Sequence, residues 1–96
     1  MKEGKVKRID ELVGQVLRQM GLEQRFKEQE VCEVWAEVVG HAIASRTTGV
    51  SMADGRVFVS FSSAVVRSEM ALVKEGLMRA LNDRVGSAVV KEIIIK

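Results

Sequence analysis

Cys32 and His41 are the only cysteine and the only histidine in the chain. A thiol activated by an imidazole would be the most direct route to nucleophilic catalysis. The two residues are nine positions apart, and a helix turns by about 100° per residue. On one helix they would therefore point in roughly opposite directions. The pair is therefore not expected to act as nucleophile and base. Cys32 is expected to behave as a small, partly buried apolar residue, and His41 as a surface or helix-end residue. A metal site needs several ligands converging, and one histidine, one cysteine and scattered carboxylates offer no recognisable ligand spacing. The chain carries neither a GxxxxGK[ST] nor a GxGxxG motif, so phosphate-loop and dinucleotide chemistry have no residues to carry them. No two carboxylates are placed for acid–base work. The expectation is a protein without catalytic residues, metal or cofactor, and not an enzyme.

Charged residues that could bind rather than react are easier to nominate. Lys2, Lys5, Lys7 and Arg8 stand against Glu3 in the first eight residues. Residues 9–45 reverse the balance, with seven acids against Arg18, Arg25 and Lys27, and residues 46–96 hold eight bases against five acids. The net charge of +2 thus hides a basic tail, an acidic middle and a mildly basic second half. A basic tail attracts phosphates without regard to sequence; its plain alternative is a solubilising terminus. Ser62 and Ser63 precede a helix whose free amides could hold a phosphate, with Arg67 one turn along. Arg46, Arg56, Arg79 and Arg84 add to the basic second half. Aromatics are only 4% of the chain, too few for the aromatic-rich platform that stacks successive bases. Glu30, Glu33 and Glu37 share one helix face, which could dock a basic partner protein or serve only to keep the helix wet.

Hydrophobic spacing defines the elements that must position these groups. Ile9, Leu12, Val13, Val16, Leu17 and Met20 recur on one helical face, and Gly21 follows where a helix would end. A second helix is expected over about residues 28–45, with Val31, Val34, Trp35, Val38, Val39, Ala42 and Ile43 inward. Trp35 should anchor the core, its ring N–H seeking an acceptor. Leu22 and Phe26 should plug the gap between the two helices. The period then changes to two: Thr47–Met52 and Arg56–Phe61 flank Ala53-Asp54-Gly55, a hairpin signal. Val57, Val59 and Phe61 face one way, and Arg56, Phe58 and Ser60 the other. The Ser62 and Ser63 caps open a third helix running to about Arg84, with Val66, Met70, Val73, Leu77 and Leu81 inward, and Gly86 ends it. Residues 89–95 form a last strand. The reading is an α+β fold in the order α-α-β-β-α-β, a three-stranded sheet packed against helices, with the final strand–helix–strand unit a crossover.

At 96 residues the chain makes one domain, divided here into a basic tail at 1–8 and a folded unit at 9–96. A content of 47% hydrophobic and 29% charged residues argues for a globular chain rather than a disordered one. A single cysteine cannot form an internal disulfide, which suits the reducing cytoplasm. No apolar run approaches the roughly 20 residues of a membrane span, so no membrane association is expected.

Three motifs in order carry a family resemblance. Trp35-Ala36-Glu37-Val38-Val39-Gly40, followed by Ala42, Ala44 and Thr47, is similar to the opening signature of the bacterial DciA-like family. Asp54-Gly55-Arg56-Val57-Phe58-Val59 with Ser62-Ser63-Ala64 resembles its second signature. Leu81-Asn82, Gly86 and Val90-Lys91-Glu92-Ile93 resemble its third. The resemblance runs from about Ile9 to the end of the chain. It implies a KH-like fold and a role near the DnaB-type replicative helicase, helping to load or operate it, with affinity for single-stranded or structured DNA. Val65 and Val66 stand where the family usually has an aromatic, and the GxxG loop with which KH domains clamp RNA is missing. A protein–protein module that never touches nucleic acid is the alternative reading.

Overall fold

A computed structural model describes residues 11–13, 15–16 and 21–96. The tail residues Lys2, Lys5, Lys7 and Arg8, and the stripe positions Ile9, Leu17 and Met20, lie outside the described residues. Residues 11–13 and 15–16 are helical, as their periodicity predicts. Their apolar stripe is not in the core, however. Leu12, Val13 and Val16 are 58%, 53% and 48% exposed. Periodicity shows that a helix has an apolar face, but does not say what covers it.

The next helix, α1 (Leu22–Val39), begins well before the expected start near residue 28. Its first turns read Leu-Glu-Gln-Arg-Phe-Lys, nearly all good helix formers. Leu22 and Phe26 are therefore part of the helix and not a plug between helices; Phe26 is 64% exposed. Gly40 divides the expected long helix, because its φ of 88° takes the chain out of helical geometry, as glycine does at little cost. A single turn, α2 (His41–Ala44), follows.

Strands β1 (Thr47–Ala53) and β2 (Arg56–Phe61) pair antiparallel across the predicted hairpin. Asp54 and Gly55 both have positive φ, 53° and 80°, as the tight two-residue turn demands. An extra residue, Thr48, bulges β1 between the pairs Thr47–Phe61 and Gly49–Ser60. The third helix of the sequence reading is two helices, α3 (Ala64–Leu72) and α4 (Lys74–Val85). Val73 leaves helical angles at φ −116°, ψ 19°, and its N–H turns to Met70 O. The break directs Leu77, Leu81 and Val85 into the core while Leu72 is 86% exposed.

β3 (Glu92–Ile95) is shorter than the expected 89–95. Val89 and Val90 are buried but not in the strand. Asn82 takes the place of a strand partner for Val90: its Nδ2 donates to Val90 O at 3.1 Å and its Oδ1 accepts from Val90 N–H at 2.8 Å. β3 lies parallel to β2, with Val57 beside Ile93 and Val59 beside Ile95. The sheet is open and mixed, in the order β1-β2-β3.

The core lies on one face of that sheet. Val57, Val59, Phe61 and Ile93 meet Val31, Val34 and Trp35 of α1 and Leu77, Leu81 and Val85 of α4. Trp35 is 2% exposed and is the predicted anchor. Its Nε1–H donates to Thr47 Oγ1 at 3.1 Å, and Thr47 passes a hydrogen bond on to Ile43 O at 2.9 Å.

Candidate functional site

The groups expected to meet phosphate at the α3 N-terminus are engaged within the fold. Ser63 is the N-cap, its Oγ accepting from Val66 N–H at 3.3 Å. Ser62 Oγ donates to Arg46 O at 3.3 Å. Arg67 reaches back from α3 to the end of the sheet: its Nε donates to Lys96 O at 3.0 Å and its Nη2 to Phe61 O at 3.1 Å. Its guanidinium bridges the ends of β2 and β3 and remains at the surface.

The three glutamates of α1 lie on one side of the helix in different settings. Glu37 Oε2 is 2.8 Å from Arg84 Nε of α4, a surface ion pair between the two long helices. Glu33 Oε1 accepts from Gln29 Nε2 at 3.4 Å, and Glu30 is half-buried. The structure thus brings a base from the C-terminal half onto the expected acidic face.

Glu28 is a functional-looking residue that the sequence reading passed over. It is the one buried charged side chain among the described residues. Its Oε2 accepts from the buried Gly55 N–H at 2.8 Å and from Gln24 Nε2 at 3.4 Å. The available signal was spacing, since Glu28 stands three and seven residues before Val31 and Trp35 on the inward stripe. Gly55 O in turn accepts from Lys91 N–H at 2.8 Å and Glu92 N–H at 3.2 Å. One residue, Gly55, therefore joins α1, the hairpin and the approach to β3 through its N–H and its C=O. A side chain at Gly55 would also crowd Lys91, 3.3 Å from the position of its Cβ. The role of Glu28 is thus structural.

A polar cleft of about 650 Å3 opens beside it, walled by Gln24, Arg25, Cys32 and Asp54 among others. Burial pushes the Cys32 thiol above its ordinary value, and the Glu28 and Glu33 carboxylates add to the rise. That is the reverse of the activation a nucleophilic thiol needs. Among the described residues, no three His, Cys, Asp or Glu side chains are grouped to hold a metal ion. Nor is any helix among them long and apolar enough to cross a membrane.

The other face of the sheet has a different character. Arg56, Phe58 and Ser60 of β2 point away from the core, as the alternation predicts. Register places Ser51 and Ile94 on either side of Phe58, and Gly49 beside Ser60. Neither Phe58 nor Ile94 belongs to the core cluster. Lys96 Nζ lies over the Phe58 ring, 5.4 Å from its centre. Arg56 and Glu92 form an exposed pair at 3.5 Å, and Thr48 Oγ1 donates to Ser60 Oγ at 2.8 Å.

Comparison with known proteins gives one result. The family described as the DnaC/DnaI antecedent, DciA, matches residues 8–95. No curated protein and no solved structure matches the chain. The match spans the three motifs that carried the resemblance, from Trp35 through Gly55 to Ile93, and the chain belongs to the DciA family, which is linked to loading of the replicative helicase in bacteria.

Proposed function

We propose that this protein is a non-enzymatic adaptor that contacts a DnaB-type replicative helicase in the cytoplasm, binds single-stranded or structured DNA, and helps to load or operate the helicase. The observation that carries the reading is the DciA family match over nearly the whole chain. The distribution of charge supports the nucleic-acid half of it, with a basic tail at 1–8 joined to a folded unit at 9–96. We assign that unit to the KH-like class, on the resemblance and on a three-stranded sheet packed against helices. Lys2, Lys5, Lys7 and Arg8 are the proposed phosphate contacts; beside the α3 N-terminus, the guanidinium protons of Arg67 not used on Phe61 O and Lys96 O and the hydroxyl proton of Ser63 could add to them, whereas Ser62 donates its own to Arg46 O.

Purified protein mixed with the purified replicative helicase should co-elute from a sizing column with and without nuclease. Failure to co-elute in both conditions overturns the adaptor reading. If the four tail bases meet phosphates of a single strand, affinity should fall about 50-fold between 50 and 200 mM salt, from a slope of about 0.7 per contact. Binding that ignores salt overturns those contacts.

A second reading, a protein–protein module without nucleic-acid binding, rests on the Glu30, Glu33 and Glu37 face. The Glu37–Arg84 pair complicates a simple charge reversal there. Reversing Glu30 and Glu33 alone leaves that pair intact. Loss of partner binding in that variant, with the fold retained, supports the second reading; unchanged binding removes the face from consideration.

A further inference from the structure

We infer that the face of the sheet turned away from the core, around Phe58, is a one-base stacking shelf for a single-stranded nucleic acid, with Lys96 as its phosphate contact. The inference rests on the nucleic-acid half of the proposed function, and assigns it a surface distinct from the basic tail.

The geometry starts with the alternation of β2. Phe58 is the one aromatic side chain pointing away from the core on the central strand, flanked by Ser51 and Ile94. Its neighbours toward β1 are small. Gly49 carries no side chain, and a Cβ there would come within 3.2 Å of Ser60 Oγ. The result is a shallow cleft of about 250 Å3 bordered by Gly49, Ser51, Phe58, Ser60 and Lys96. A flat ring can enter it from the solvent side, and none of the core helices packs over it.

Three chemistries meet at this cleft. The Phe58 face offers stacking, which tolerates any base because every base has a π-face. The Ser51 and Ser60 hydroxyls can donate to or accept from a base edge, since a hydroxyl serves in either sense. The Lys96 ammonium rests over the ring. An exposed cation–π contact is a weak interaction, so an incoming base displaces the ammonium easily, leaving it free to meet the phosphate of the same nucleotide. Arg56 is paired with Glu92 at one side, and the cation over the ring is that of Lys96. The match is to a planar group joined to an anion a few ångströms away, which describes a nucleotide of an unpaired strand. A duplex hides its base faces and does not fit. A partner protein would find a cleft of hydroxyls and one ring, without a contiguous apolar surface.

The aromatic-poor composition does not oppose this reading. It excludes a platform that stacks a run of bases, whereas this shelf takes one.

The test uses the full chain and a labelled oligothymidylate of about twelve nucleotides, within the usual span of single-strand sites, alongside a duplex of equal length. Phe58→Leu keeps an apolar side chain but removes the flat face, and Phe58→Ala is the more severe companion. Because Phe58 faces away from Trp35, unchanged Trp35 emission and melting confirm folding of each variant. Phe58→Leu is expected to weaken single-strand binding roughly tenfold or more, the size of one lost base–aromatic stack, with duplex binding unchanged. Lys96→Ala is expected to lower the salt slope by about 0.7. In the wild type, amide shifts on titration should concentrate at Gly49, Ser51, Phe58, Ser60 and Ile94. Wild-type affinity retained in folded Phe58→Leu overturns the shelf while leaving nucleic-acid binding by the tail in place. No binding of wild type to either nucleic acid at low salt overturns both. Loss of helicase binding in Phe58→Leu, with single-strand affinity intact, makes the face a protein dock and also overturns the proposal.

Discussion

Removing the Glu28 carboxylate should destabilise the fold more than any change at the surface glutamates. Glu28 is 8% exposed, and it supplies the acceptor for the buried Gly55 N–H at 2.8 Å. In Glu28→Ala that donor is left without a partner, and a buried unsatisfied group costs about 1–3 kcal/mol. The truncated stem adds to the loss, so about 2–3 kcal/mol is expected in all. For a chain of this size, 1 kcal/mol moves Tm by about 4–8 °C, so Tm should fall by about 8–24 °C by this scaling. Glu28→Gln keeps an acceptor oxygen and should recover about half of the loss or more, because only the charge-assisted part of the bond is forfeited. The assay is thermal unfolding followed by circular dichroism, paired with amide exchange at Gly55. Faster exchange at Gly55 in Glu28→Ala, with the helical signal intact before melting, is the expected companion result. A Glu28→Ala protein that melts within about 2 °C of wild type, a surface-like effect, would refute the reasoning.

Other consequences are equally open to measurement. Asn82→Ala removes both hydrogen bonds to Val90, and urea unfolding should show a loss of about 1–3 kcal/mol. Leu12→Ser and Val16→Ser, at positions about half exposed, should change stability by no more than about 0.5 kcal/mol in the same experiment; a core-sized loss would show that this helix is packed. Cys32 has a thiol raised from its ordinary value of 9.0, so the unfolded chain releases that proton first. The stability linked to it is present below pH 9 and is lost as the pH climbs through the folded value. Unfolding at a series of pH values from 8 upward should therefore show a decline that Cys32→Ala lessens, and identical curves would remove Cys32 as its source.

The parts of the fold that were legible in the sequence are those fixed by neighbours close along the chain. The hairpin follows from Asp54-Gly55 and the alternation of β2, and the α3 cap from Ser63; both depend on a few adjacent residues. Trp35 was legible as an anchor because its stripe is long and regular. The long helices were found in the right order, but the first begins about six residues before its expected start, and each expected helix is divided in two. Gly40 sat inside a periodic pattern that gave no reason to stop there, and Val73 breaks its helix without a glycine or proline to announce it. Tertiary choices were not legible. An apolar stripe at residues 12–16 looks the same whether buried or exposed, and Asn82 becomes a partner for Val90 only once the chain folds back on itself. The candidate site follows the same rule. The outward position of Phe58 was written in the alternation, but the placing of Lys96 over its ring depends on β3 lying parallel to β2, a pairing that no local motif states.

That parallel pairing also orders events in time. β1 and β2 are joined by a two-residue turn, so their ladder closes a small loop. Val59 and Ile95 are neighbours across the sheet with the whole of α3 and α4 between them in sequence. Closing so long a loop loses more chain entropy before any contact repays it. The hairpin ladder does not require residues 92–95, whereas among the described residues β3 has no strand neighbour except β2. Loop length therefore favours a folding order in which the last strand docks after the hairpin has formed. Until it docks, Phe58 lacks Ile94 on one flank and the ammonium of Lys96 above it.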